Sequence, residues 1–517
     1  MALATQTHRR MIWPMLIAAA FLLRLAAIHF LPGNLDGDSN GYLILARNLL
    51  INQLYSIRDA PPFDPTFTRV PGYPLFIALV YFVKLDSLNA VRIAQAFIDT
   101  LTCAGVAALA SWWEFDAGRK RAAALAAFVL AAACPFTVRY VPAILAETLS
   151  TFLSVILVLL ASCAFAARTL RRALVWWAAT GIAGALGTLV RPDGGLFFLG
   201  VIVTLITAAL FRVSRFAFRA SILESKHKAL LCIAIAVLAF VCALAPWPIR
   251  NAIVFDRFLP LQPRHQALPG GFVPNGYYNW LQTWIDDGRY IKPLRWELDF
   301  SQITPDQIPS KAFDSPEERG RVAELLDRYN HAQSSSAEPT GITPPGNAAA
   351  RVKMTPEIDS GFAQIALERR QRDPLRFYFF LPAKRAVALW FDTHSDHYPF
   401  AGELFPVPDK SYFQDGAHSY EGYAALWIFA LMVWLYTLLG AAGARQLWHT
   451  ESGKARLWVL LVTLIILPRL IFFSTLDNPE PRFLVQFFPF LSALGGIAIA
   501  HLFGRSSGQA NALAASA

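Results

Sequence analysis

Two acids, Asp36 and Asp38, stand just after the first long apolar stretch of the chain, in LDGDSNGYLILARNLL (residues 35–50). Asp38, Tyr42, Ala46 and Leu49 recur at three- to four-residue spacing, which predicts a short helix with the acids at its N-terminus. Two readings of Asp38 follow. As an N-cap it satisfies orphan amides; as a base it stays ionised beside the positive end of the helix dipole and takes a proton from a hydroxyl held close. More residues of the same kind sit at the ends of later apolar runs. Arg69 and Tyr73 lie in RVPGYPL, Arg139-Tyr140 and Glu147 flank Pro142, and Arg191-Pro192-Asp193-Gly194 joins two runs. Trp247, Arg250 and Asn251 lie in APWPIRN, Arg264-His265 follow in a Pro-rich turn, and Glu480, Arg482 and Gln486 precede the last run. A single loop arginine usually snorkels to head groups or solvent. Repeated arginines beside Pro or Trp at such boundaries predict convergence on an anion, with Asp36, Asp38 and Glu147 as the acids of the site. Tyr42, Arg69, Tyr73, Arg139, Arg191, Asp193, Arg250, Asn251, His265 and Arg482 are the expected binding residues.

These positions have to be held by a bilayer-spanning scaffold. Of 517 residues, 55% are hydrophobic and only 16% charged, with a mean hydropathy of +0.40, which excludes an ordinary soluble protein of this size. The excess of Lys+Arg over Asp+Glu reads as a topology signal rather than a nucleic-acid surface. All five cysteines (Cys103, Cys134, Cys163, Cys232, Cys242) fall inside apolar runs, so no disulfide framework or thiolate metal site is expected. MALATQTHRR precedes about 20 apolar residues without a small-residue cleavage site, the pattern of a retained first span.

Runs long enough to cross about 30 Å of hydrocarbon occur near 11–30, 90–113, 122–140, 144–167, 173–190, 194–212, 229–246, 424–445, 457–474 and 483–503. The fold class expected is an all-α polytopic membrane protein of about 10–11 transmembrane helices. Placing His8-Arg9-Arg10 in the cytoplasm puts 118–121, 168–172, 212–228 and 445–456 there too, in accord with the positive-inside rule. The segments 31–89, 141–147, 191–193, 247–423 and 475–482 then face outside, with every candidate residue among them or at their edges. PGYPLFIALVYFV (71–83) is short and follows Pro71, so it is expected to be re-entrant or surface-lying, and the aromatic stretch 374–392, interrupted by Lys384 and Arg385, to lie on the membrane surface. Arg24 and Arg469, inside spans, are expected near span ends or paired. The organisation expected is a catalytic membrane module over 1–246 including the first external loop 31–89, a larger mixed external region over 247–423 with a mobile patch at 333–349, and C-terminal spans over 424–517.

The series D-x-x-x-Y (Asp38, Tyr42), R-x-P-x-Y-P-L (Arg69 to Leu75), A-E-T-L (Ala146 to Leu149), R-P-D-G (Arg191 to Gly194), P-W-x-x-R-N (Pro246 to Asn251) and P-R-F (Pro481 to Phe483) resembles the C-type glycosyltransferases. Within them it is similar to the dolichyl-phosphate-mannose protein mannosyltransferase and aminoarabinose transferase superfamily, over about residues 10–505. The resemblance implies a membrane enzyme that moves a sugar from a polyprenyl-phosphate donor to a glycan, lipid or protein acceptor. In that family the acid matching Asp38 is the catalytic carboxylate, and basic loop residues hold the lipid phosphate. Family members often carry a second acid directly after that aspartate. Here the position is Ser39, and Asp36 stands two residues before Asp38, so the base is one of these two aspartates. No cofactor is required by this chemistry, although Asp36, Asp38 and Glu147 offer oxygens to a divalent cation. The compartment implied is a bacterial inner membrane with the site on its periplasmic face. A transporter or flippase and a polysaccharide polymerase are the competing readings; a transporter usually carries ionisable groups or broken helices at the midplane.

Overall fold

The computed structural model describes residues 2–31, 33, 35, 37–210, 225–263, 271–286, 288–332, 353–400, 420–450 and 452–516. Asp36, Arg264, His265 and the patch 333–349 lie outside the described residues. The chain runs through α1 (Ala2–Phe30), α2 (Gly37–Ile51), α3 (Gly72–Val83), α4 (Leu88–Trp113), α5 (Lys120–Ala132), α6 (Pro135–Val138), α7 (Glu147–Ala166), α8 (Leu170–Val190) and α9 (Gly194–Leu210). It continues through α10 (Lys226–Leu244), α11 (Pro246–Phe255), α12 (Asn275–Gln282), α13 (Pro316–His331), α14 (Pro356–Arg372), α15 (Leu381–Phe391), α16 (Tyr420–His449), α17 (Gly453–Ser474) and α18 (Phe488–Ser516). No strand occurs among the described residues, so the mixed region 247–423 is mixed only in helix type, with 3-10 and π turns between α-helices.

Among the described residues, eight stretches are long and apolar enough to cross a membrane: α1, α4, α7, α8, α10, α16, α17 and Pro481–Phe503, which joins a 3-10 turn to α18. This is an α-helical polytopic membrane protein. Of the two remaining expected spans, one is interrupted. Within 122–140 the helix α5 stops after 13 residues, because Pro135 has no N–H to continue the ladder and Cys134 before it is extended. Of the run 194–212, the described residues form α9, Gly194–Leu210. α3 has 12 residues, which at about 1.5 Å per residue falls well short of a crossing. Lipid offers no hydrophobic drive for helices to associate, so they meet where small residues allow close approach. At Gly72 an added Cβ would lie 2.6 Å from the Leu189 carbonyl oxygen, so the start of α3 rests on the end of α8. That contact carries Arg69 towards Arg191.

Arg24 and Arg469, inside spans, are fully buried and paired. Arg24 joins α1 to α4 and α5, bonding Asp99 at 2.9 Å, the Ala132 carbonyl at 2.8 Å and Cys103 at 3.1 Å. Arg469 of α17 pairs with Asp193 and donates to Gln486.

The segment 275–372 builds a core of its own from Tyr277, Trp280, Trp284, Tyr329 and Phe362. Its tie to the bundle is made by Arg385 of α15, which donates to the carbonyls of Ile285 and Gln282 at 2.6 and 2.7 Å, and by Arg295, 2.9 Å from Asp477. Lys384 bonds Asp286 at 2.6 Å. The two basic residues that interrupt the aromatic stretch 374–392 therefore fasten this segment, while Tyr378, Phe379 and Phe380 stay exposed.

Candidate functional site

The ends of five elements meet at one end of the bundle. Asp38 is in the first turn of α2, Glu147 opens α7, Arg191 caps α8, Asp193 precedes α9, and Arg482 lies in the 3-10 turn Pro481–Phe487. Asp38 takes Arg69 on Oδ1, and both Nη atoms of Arg482 lie 3.5 Å from its Oδ2. Arg482 turns its Nε to Glu480 at 2.5 Å. Beside this set, Arg191 donates to Glu147 at 2.5 Å and to Asp193 at 3.2 Å, and Asp193 also takes Arg469. Below them Gln486 donates to Ser150 at 2.5 Å. Four arginines thus face four acids.

Burial works against the ionised form of Asp38, but the guanidinium groups of Arg69, Arg482 and Arg191 outweigh it and hold the carboxyl below its ordinary value. Asp193 behaves alike: burial pushes upward, and Arg191 and Arg469 bring it below the ordinary value. Burial alone would lower Arg191, yet Asp193 and Glu147 raise it above the usual arginine value. Burial, reinforced by Asp38, raises Tyr42 to about 12. Tyr42 is therefore a neutral O–H donor, with the Arg69 guanidinium 5.9 Å from its ring centre.

The Arg69 loop is clamped from behind. Tyr55 donates its hydroxyl to the carbonyls of Arg69 and Val70 at 2.9 and 3.2 Å, and Arg250 donates to the Thr66 carbonyl at 2.8 Å. The Arg250 guanidinium packs 5.3–5.6 Å from the rings of Trp247, Phe255 and Tyr55, and Asn251 accepts from Arg250 and donates to the Leu259 carbonyl. Arg250 and Asn251 thus direct these bonds to the loop and not to Asp38. Tyr73, fully buried, donates to Gln95 at 2.6 Å and meets the Tyr42 ring edge-on. Arg139 is buried near Tyr398, 5.7 Å from its ring. The structure brings Asp38, Tyr42, Arg69, Glu147, Arg191, Asp193 and Arg482 together, sets Tyr73, Arg250 and Asn251 behind them, and does not describe Asp36 or His265.

One neighbour was not singled out from sequence. Asp396, in the loop after α15, lies near Glu480, Arg482 and Tyr140. Burial, with help from Asp392 and Glu480, raises it to about 7. Its neighbour His397 places its ring 5.9 Å from Tyr140. The available signal was the density of polar groups in DTHSDHYP (392–399), which follows an aromatic stretch and precedes a proline. Of the set expected to offer oxygens to a divalent cation, Asp38 and Glu147 are each engaged by arginine and Asp36 lies outside the described residues; among the described residues no group of three His, Cys, Asp or Glu side chains is placed to hold a metal ion.

No family model matches the sequence, and no curated protein does. Among solved structures, the chain is similar to the archaeal oligosaccharyltransferase AglB from Archaeoglobus fulgidus in complex with an inhibitory peptide and a dolichol-phosphate. Identity is 14% over 98% of this chain and 52% of that one, with a TM-score of 0.48. It is also similar to ArnT from Cupriavidus metallidurans bound to undecaprenyl phosphate, at 13% identity over 94% of this chain and 77% of that one, with a TM-score of 0.38. The chain spans about half the length of the AglB protein.

Proposed function

We propose that this protein is a membrane glycosyltransferase that moves a sugar from a polyprenyl-phosphate donor to an acceptor hydroxyl. The observation that carries the reading is a carboxylate at a helix N-terminus, 30% exposed, set among three arginines at one end of a membrane bundle. Such transfer needs one base and one cationic clamp. Asp38 takes the acceptor proton while the acceptor oxygen bonds to the anomeric carbon. The bond from that carbon to the phosphate oxygen breaks, and its electron pair stays on the phosphate. A single displacement of this kind inverts the anomeric centre. The leaving phosphate is already a stable anion and needs no general acid. Arg482 and Arg191 stabilise it where charge develops, and their planar forks suit phosphate oxygens.

The lipid tail explains the location. A membrane-dissolved donor presents its head group at the bilayer edge, where these helix ends converge. Orientation follows from the opposite end of the bundle, where Glu114 and Arg119 meet His501 and where the basic runs 118–121 and 168–172 lie. With that end cytoplasmic, the site faces the periplasmic side of a bacterial inner membrane. Residues 1–246 form the catalytic membrane module, 247–423 the external region and 424–517 the C-terminal spans. The acceptor, whether glycan, lipid or protein, approaches from the side of the external region. A transporter reading is less well supported, because Arg24, Asp99 and Arg469, charges inside spans, are buried and held by partners within the bundle.

The test supplies the purified chain in lipid nanodiscs with a panel of radiolabelled polyprenyl-phosphate sugars and a mixture of hydroxyl acceptors. Label leaving at least one donor is expected. Retention of label on all donors, with movement of the labelled lipid between the leaflets of reconstituted vesicles instead, would favour the flippase.

A further inference from the structure

On the donor reading above, we propose that Arg69 changes partner during the reaction, leaving Asp38 for the donor phosphate, and that this exchange frees Asp38 to accept the acceptor's proton. The starting point is a charge count. Arg69, Arg191, Arg469 and Arg482 are joined by ion pairs to Asp38, Glu147, Asp193 and Glu480, four cations to four anions. A fifth anion entering this set requires one acid to give up a cation or gain a proton. The acid best placed to do so is the most accessible one. Asp38 has 30% of its side chain exposed, against 3% for Glu147, 10% for Asp193 and 11% for Glu480.

The arginines differ in how they are held. Arg191 is shared between Glu147 and Asp193, and Arg482 is tied through Nε to Glu480 while its Nη atoms reach Asp38 only at 3.5 Å. Their attachments remain when a phosphate takes their outward donors. The carboxylate that Arg69 pairs with is Asp38. The loop that carries Arg69 is fixed by Tyr55 at the Arg69 carbonyl, by Arg250 at the Thr66 carbonyl and by Gln262, which accepts from the Val70 N–H, so the Arg69 side chain can swing without moving the loop, across the face of Tyr42. Phosphate oxygens compete well for a guanidinium because the fork donates two parallel, charge-assisted bonds.

The exchange also resolves a chemical conflict. A carboxylate with an arginine on each oxygen is a poor proton acceptor, yet transfer needs Asp38 to take a proton. Coupling the two events makes the base competent only when donor phosphate is seated, so donor binds before acceptor and an idle site does not activate water.

Binding of undecaprenyl phosphate to the full chain in detergent, followed by tryptophan fluorescence, tests the exchange in a double-mutant cycle. Asp38→Asn removes the competitor for Arg69 and should tighten binding by about tenfold. In an Arg69→Gln background the same substitution should tighten it by less than about twofold, since the guanidinium that Asp38 releases to the phosphate is then missing. Arg69→Lys, which keeps the charge and loses the fork, repeats the cycle should the Gln variant melt early, and there the tightening should shrink to about threefold or less. Tightening of equal size in every background means plain repulsion between Asp38 and phosphate and overturns the exchange, as does no tightening at all. Absence of binding by the wild type overturns the donor reading itself, and the exchange with it.

Discussion

Two buried arginine–acid groups in this chain look alike on paper and differ in what surrounds them. Arg24 and Asp99 are 0% and 3% exposed, and the remaining Arg24 donors are taken up by Ala20, Ala131, Ala132 and Cys103. Asp38 also pairs with arginine, but it keeps 30% exposure, and its second arginine, Arg482, stands off at 3.5 Å. The first group is complete; nothing remains for a ligand to bind. The second is an arrangement whose partners can be exchanged. Enclosure and saturation, more than the presence of charge, separate a structural ion pair in a membrane bundle from one that can do chemistry.

Substitutions should expose that difference. Asp38→Asn should lower sugar transfer by about 10²–10⁴-fold, the usual range for loss of a positioned base, with only a modest fall in melting temperature from the lost Arg69 pair; undiminished turnover would assign the base elsewhere. Arg24→Met should do the reverse. It strands Asp99 in the bundle at a cost of about 3–5 kcal/mol, read as a lower melting temperature, and the folded fraction should turn over normally. Adding Asp99→Asn should recover most of the stability, and if it does not, the pair is more than a structural tie.

Arg250→Gln should fall between these extremes. Loss of the Thr66 anchor lets the Arg69 loop drift and should reduce transfer by about tenfold, with a smaller change in melting. A loss as deep as that of Asp38→Asn would make Arg250 a substrate contact instead of a support.

The smallest effect concerns Asp396. Its folded pKa, about 7, lies above its ordinary value of 3.8, so the folded chain binds more protons than the unfolded one between those values, and stability declines as pH rises through that window. Asp396→Asn removes the charge and should raise the melting temperature by a few degrees at pH 8 and leave it unchanged below pH about 3.8. Equal melting at both pH values would mean the carboxylate is not burdened by burial. Asp38 and Asp193 shift the other way. Their stabilising share is present above the ordinary carboxylate value and is lost as pH falls through their lower folded values.

Much of the candidate site could be picked out in the sequence because its residues belong to boundaries. Asp38 and Tyr42 announce themselves by helical spacing, and Arg69, Glu147, Arg191 and Arg482 by being charged where apolar runs begin or end. Asp396 escaped because its chain segment follows a long aromatic stretch with no regular period, and its place beside Arg482 is a matter of how that loop folds back. Arg250 and Asn251 were legible as polar boundary residues but not as supports, since a bond to the Thr66 carbonyl leaves no mark on composition. The break at Cys134-Pro135 was visible as a proline, while the shortness of α5 depended on where the chain turned.

What the sequence determined by itself is the medium and the roster: apolar runs of span length can only be satisfied as helices in lipid, and the charges left over had to gather at their ends. Pairing was decided by the tertiary structure alone. Whether an arginine ends up saturated, as Arg24 is, or shared with an accessible acid, as Arg69 is, depends on which helix ends are brought within about 3 Å of one another. Contacts such as Gly72 against Leu189 set that distance between residues far apart in the chain, and no local pattern encodes it.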